Sequence, residues 1–163
     1  MPLDRIVTFL REIGLPVAER SLPDKTFVPG ILIENGGLVI DRARLTYPGD
    51  LLHEAGHIAV TPPSQRAAMS GDLNSTQADE IAAQAWSYAA AVHLGIDPAV
   101  VFHPAGYHGA SESLLAAMSG PGAPGSPLLH WFGLTRMHDD GSGAPIFPRM
   151  SAWLRPEPVE SAN

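Results

Sequence analysis

His53, Glu54, Ala55, Gly56 and His57 stand in a row. Residues four apart share one face of a helix, so the two imidazoles can grip a single metal ion from the same side. Glu54 follows the first of them and can reach a water activated by that ion. Two ligands and a base on one short helix is what metal-assisted hydrolysis asks of a sequence. Such a run also arises by chance, so the surrounding residues must supply the rest of a site.

A hydrolytic zinc centre uses three protein ligands and keeps one position open. A third His six residues after His57, with a Gly between, is excluded because Pro63 and Val60 occupy those places. A carboxylate on a following helix is the other route. Glu80 lies in the first turns of a long helical run, beyond a loop that lets the chain reverse. Asp79 competes with it, but adjacent helix positions point about 100° apart. Asp79 also has a capping role to fill, three residues after Thr76. Glu80 is the expected third ligand.

The elements that must position these groups are partly legible. Residues 3–13 carry Ile6, Phe9, Leu10 and Ile13 at helical spacing, stopped by Gly14 and Pro16. Residues 27–34 and 38–41 are β-rich runs around Asn35-Gly36-Gly37, which reads as a hairpin. A helix is expected near 50–60, with Asp50 as N-cap, Leu51, Leu52 and Ile58 on its buried side, and Thr61-Pro62-Pro63 as its end. Residues 64–75 read as polar loop. Residues 76–95 form the longest helix, closed by Gly95. Farther on, 111–118 looks helical, 120–127 is loop, 128–134 is a short apolar helix or strand, 139–143 is a turn, and 147–155 is a final strand or helix. Trp86, Trp131 and Trp153 are expected in the core.

Composition narrows the function classes. A chain of 163 residues with 45% apolar and 17% charged residues is globular and long enough for one domain with a sizeable core. The net charge of −7, with Lys25 the single lysine, argues against nucleic-acid and membrane-surface partners. The absence of cysteine excludes disulfides and thiolate ligands, so imidazole and carboxylate must hold any metal. Charged residues interrupt the first fifteen positions, which do not read as a signal peptide, and no apolar run is long enough to span a bilayer. A cytoplasmic protein is the expectation.

The pieces GLVID, LLHEAGH and EIAAQAW resemble the ImmA/IrrE-type metallopeptidases and their gluzincin relatives. That family shows a strand, an HExxH helix and a second helix with the pattern Glu-x-x-Ala-Asn/Asp-x-Phe. The resemblance covers roughly residues 30–95. It implies His53, His57 and Glu80 as zinc ligands and Glu54 as catalytic base. Ala83 matches the family's Ala, Gln84 stands where Asn or Asp is usual, and Trp86 replaces Phe. Residues beyond 96 match nothing in the pattern.

The expected architecture is a small α+β, zincin-like domain over residues 1–163. A short β-sheet packs against the first helix and the HExxH helix, with the long Glu80 helix beside them. The expected function is zinc-dependent peptide-bond hydrolysis of a protein or peptide substrate, with Zn2+ as cofactor. The alternative is a non-catalytic metal-binding or protein-interaction module that keeps the motif. His103, Tyr107 and His108, in a loop punctuated by Gly and Pro, are candidate donors to a developing oxyanion. His93, His130 and His138 are expected to be structural or surface groups.

Overall fold

The computed structural model describes residues 1–159 apart from Asp24, Asp72, Asn74 and His108. It has six α-helices and three short strands among the described residues, a mixed α+β architecture. Helix α1 (Pro2–Glu12) buries Ile6, Val7, Phe9 and Leu10 on one stripe, as their spacing predicts. Strand β1 (Val17–Glu19) follows, and then the hairpin of β2 (Ile31–Glu34) and β3 (Gly37–Ile40). Asn35 and Gly36 both take positive φ, 51° and 76°. Two such residues make the tight turn whose twist matches a two-strand ribbon.

The sheet order is β1-β3-β2, with β1 parallel and β2 antiparallel to β3. The middle strand is buried along its whole length. Residues 27–30, expected to extend β2, instead form a turn with a single bridge from Val28 to Ile31. Pro29 lacks a donor and Gly30 has φ of 76°, so neither continues a strand.

Helix α2 (Gly49–Ala59) packs against α1, β3 and the long helix α4 (Gln77–Leu94). Leu51, Leu52 and Ile58 are fully buried, each contributing about 2 kcal/mol of burial free energy. Asp50 is not the N-cap: Pro48 holds that position without a side-chain bond, and the Asp50 carboxylate goes to a histidine described below. The stretch after α2 is not all loop, since Pro63–Arg66 makes one helical turn, α3. Helix α4 begins at Thr76 with a complete capping box: Thr76 Oγ1 accepts from Asp79 N, and Asp79 accepts from Thr76 N, both at 3.1 Å. It ends on Gly95 in the left-handed conformation.

The described residues after α4 form a 3-10 turn (Pro98–Val100), α5 (Ser111–Ser119), α6 (Ser126–Trp131) and irregular segments. Residues 147–155 are neither strand nor helix. Pro148 and Pro156 interrupt any ladder, and the backbone there bonds outward to Leu134, Ala59 and Trp86 instead. Trp86 is fully buried and Trp153 partly so, but Trp131, the last residue of α6, is 82% exposed and not in the core.

Candidate metal centre

Helices α2 and α4 come into backbone contact at one point, and the sequence prepares it. A Cβ added at Gly56 would lie 2.8 Å from the Ala83 carbonyl oxygen and 3.2 Å from its Cα. Glycine on one helix and alanine on the other let the axes approach more closely than larger side chains allow. That approach carries Glu80, one turn before Ala83, over the two histidines that flank Gly56 on α2.

His53 Nε2 lies 2.9 Å from Glu80 Oε1, and His57 Nε2 lies 3.0 Å from Glu80 Oε2. The rings stand at 90° with centroids 4.9 Å apart. One donor atom from each of the three residues falls within 4.8 Å of the others, a group that could hold a metal ion. The donor set fits one. Ligand atoms about 2.0–2.1 Å from a tetrahedral ion sit roughly 3.3 Å from each other, a few tenths of an ångström wider than these contacts. Asp79, the competing carboxylate, is occupied by the capping box.

The electrostatics follow from that geometry. Bonds from both imidazoles hold the Glu80 carboxyl well below the usual range. Burial pulls His53 downward, but the bond to Glu80 and its charge outweigh that and leave it raised. Beyond the shared carboxylate, the two rings differ. His57 Nδ1 has Ser75 Oγ at 3.5 Å, whereas His53 Nδ1 is buried without a partner among the described residues. A second-nitrogen partner fixes the tautomer and orientation of a ligating ring.

Glu54 lines the same cleft, and its carboxylate makes no hydrogen bond to a described residue. Burial raises its pKa, and Glu80 and Asp50 push the same way against the two histidines. The cleft measures about 650 Å³. Its floor is the His53–His57–Glu80 group, one wall is β2 with the preceding turn, and another is the loop 103–107. Its charged lining is acidic, Asp50, Glu54 and Glu80.

The outer edge of β2 has a defined hydrogen-bonding phase. The pair closing the two-residue turn is Glu34–Gly37, and Asp41 N donates to Gly30 O at 2.9 Å four residues on, so bonded pairs fall at 34, 32 and 30. Ile31 and Ile33 therefore point their backbone groups away from β3. Ile31 N is taken by Val28 O and Ile33 O by Gly71 N, and the Ile31 carbonyl and the Ile33 N–H have no partner among the described residues on this cleft-lining edge.

Of the candidate donors, Tyr107 lines the cleft, and its hydroxyl has no partner among the described residues. Burial, reinforced by Glu80, Asp50 and Glu54, raises its pKa, so it stays a neutral O–H donor. His103 is placed otherwise. Its Nε2 meets Asp50 Oδ1 at 2.6 Å, its ring stacks on Tyr47 at 3.8 Å, and its Nδ1 is buried. Neither ring nitrogen is open to a substrate oxygen. His108 lies outside the described residues, and His93, His130 and His138 are exposed, away from the cleft. Sequence reasoning missed the Asp50–His103 pair, the Ser75 contact and the role of Gly56. Of these, only Gly56 carried a signal, a glycine inside a helix.

No protein-family model, curated protein or solved structure matches the chain. Among the described residues no helix is long and apolar enough to cross a membrane.

Proposed function

We propose that this chain is a zinc-dependent metallopeptidase with a zincin-like domain of the ImmA/IrrE type, acting on a protein or peptide in the cytoplasm. The observation that carries the reading is the convergence of three donors from two helices on the floor of a cleft, beside a half-buried carboxylate with no hydrogen-bond partner among the described residues. His53, His57 and Glu80 are the residues that would hold the ion. Neutral imidazoles with a carboxylate and no thiolate suit Zn2+. Bound there, zinc supplies a Lewis acid for water and for the scissile carbonyl.

The chain's own residues do the rest. Glu54, its basicity raised by burial, takes the proton from water and delivers it to the leaving amine. The Tyr107 hydroxyl, kept protonated, donates to the carbonyl oxygen as negative charge develops on it. The Ile31 carbonyl and Ile33 N–H offer one peptide unit of an extended substrate its backbone bonds, which favours a peptide over a small molecule.

Glu54→Gln tests the assignment. The variant keeps its zinc and loses peptide hydrolysis by at least about a hundredfold, measured on a fluorogenic peptide library. Hydrolysis at the wild-type rate would remove Glu54 from the mechanism. Zinc-loaded wild-type protein that cleaves no member of the library would leave the non-catalytic metal-binding module as the correct reading.

A further inference from the structure

The last turn of α2 is tied down by residues that lie beyond it in the chain. A helix leaves its final carbonyls without intrahelical partners, and here each is taken. Thr61 Oγ1 donates to His57 O at 2.8 Å, and Arg66 Nε donates to Ile58 O at 3.2 Å. Arg155 provides the last two bonds, its backbone N to Ala59 O at 2.9 Å and its Nη1 to Val60 O at 3.1 Å. Arg66 Nη2 in turn donates to Arg155 O at 2.7 Å, and the Arg155 guanidinium lies 3.8 Å over the Phe132 ring. Two guanidinium groups at a helix C-terminus also complement its dipole.

Two residues earlier the same segment grips the other metal helix. Trp86 Nε1, on α4, donates to Trp153 O at 2.8 Å, and the two indole rings meet edge to face at 5.6 Å. So residues 153–155 bond both to the helix that carries His53 and His57 and to the helix that carries Glu80. None of the three lines the cleft.

We propose that segment 153–155 is a positioning device for the metal centre, setting the register of α2 against α4 from outside the cleft. The inference rests on the metal-site reading above. Its physical basis is the character of the α2–α4 contact. At their closest approach the helices meet backbone to backbone, Gly56 on α2 against Ala83 on α4. Glycine and alanine permit that close approach but place no large side chain there to interlock the two helices. A shift of a fraction of an ångström between the helices moves Glu80 relative to both imidazoles. Arg155 and Trp153 supply directional bonds to both helices from outside that contact.

The test compares Arg155→Ala and Trp86→Phe with wild type, at a temperature where circular dichroism shows each metal-free protein folded. Zn2+ affinity is measured by competition with a chromophoric chelator, and Co2+ substitution reports ligand geometry through its visible bands. A positioning role weakens Zn2+ binding about tenfold or more in each variant. It also shifts or dims the Co2+ bands, with Arg155→Lys intermediate. If Arg155→Ala does not fold, Arg66→Ala is read the same way, because it removes the bonds to Ile58 and to Arg155. Lowered thermal stability with unchanged Zn2+ affinity and an unchanged Co2+ spectrum would overturn the proposal and leave the metal site standing. Wild-type protein that binds neither ion would overturn both.

Discussion

Helix α2 carries two imidazole–carboxylate arrangements one turn apart, and they differ in what they leave open. At His53, His57 and Glu80 one carboxylate bridges two rings, and the donors crowd around a common point at the floor of the cleft. At His103 and Asp50 one ring meets one carboxylate, Tyr47 covers a face, and a Cβ at Gly106 would come within 3.0 Å of the ring. The functional groups are the same kind. The first set converges on a common point, with Glu80 41% exposed; the second is paired one to one. Convergence with access marks a place for an ion. One-to-one pairing marks a clasp, here between the start of α2 and the loop that presents Tyr107.

Substitutions sharpen or break that contrast. The largest effect is expected at Glu80→Ala, which removes a ligand and lowers Zn2+ affinity by more than about a hundredfold in chelator competition. Retained zinc in that variant, with loss in Asp79→Ala, would reverse the assignment of the third ligand. Gly56→Ala forces α2 away from the Ala83 backbone. It should destabilise the protein by about 1–3 kcal/mol in denaturant unfolding and weaken Zn2+ binding as well. Asp50→Asn replaces a charge-assisted bond with a neutral one and should cost about 1–2 kcal/mol while zinc stays bound. Loss of the metal there would make the clasp part of the centre. Asp79→Ala, which removes half of the capping box, should cost about 1 kcal/mol and nothing in metal affinity.

What the sequence made legible was local or periodic. The Asn35-Gly36 turn, the Thr76–Asp79 cap and the Gly95 end of α4 each depend on a few adjacent residues, and each stands where it was expected. The metal group was readable because helical spacing fixes His53 and His57 on one face, and because a cap diverts Asp79 and leaves Glu80. What stayed hidden depends on partners far along the chain. β1 is three residues long and exists through its pairing with β3. Asp50 looked like a cap because nothing near it in sequence revealed His103, 53 positions later. Residues 147–155 carried apolar side chains that suggested an element, but their backbone bonds go to α4, the end of α2 and Leu134, a set of partners that no local pattern encodes.

The most direct measurement is the metal content of the purified wild-type chain, prepared without chelator, beside the His53→Ala/His57→Ala double variant. One equivalent of zinc per folded wild-type chain and none in the folded double variant is the expected result. A wild-type chain that takes up no divalent metal, or a double variant that keeps its full equivalent, would contradict the assignment of the His53–His57–Glu80 group as a metal centre.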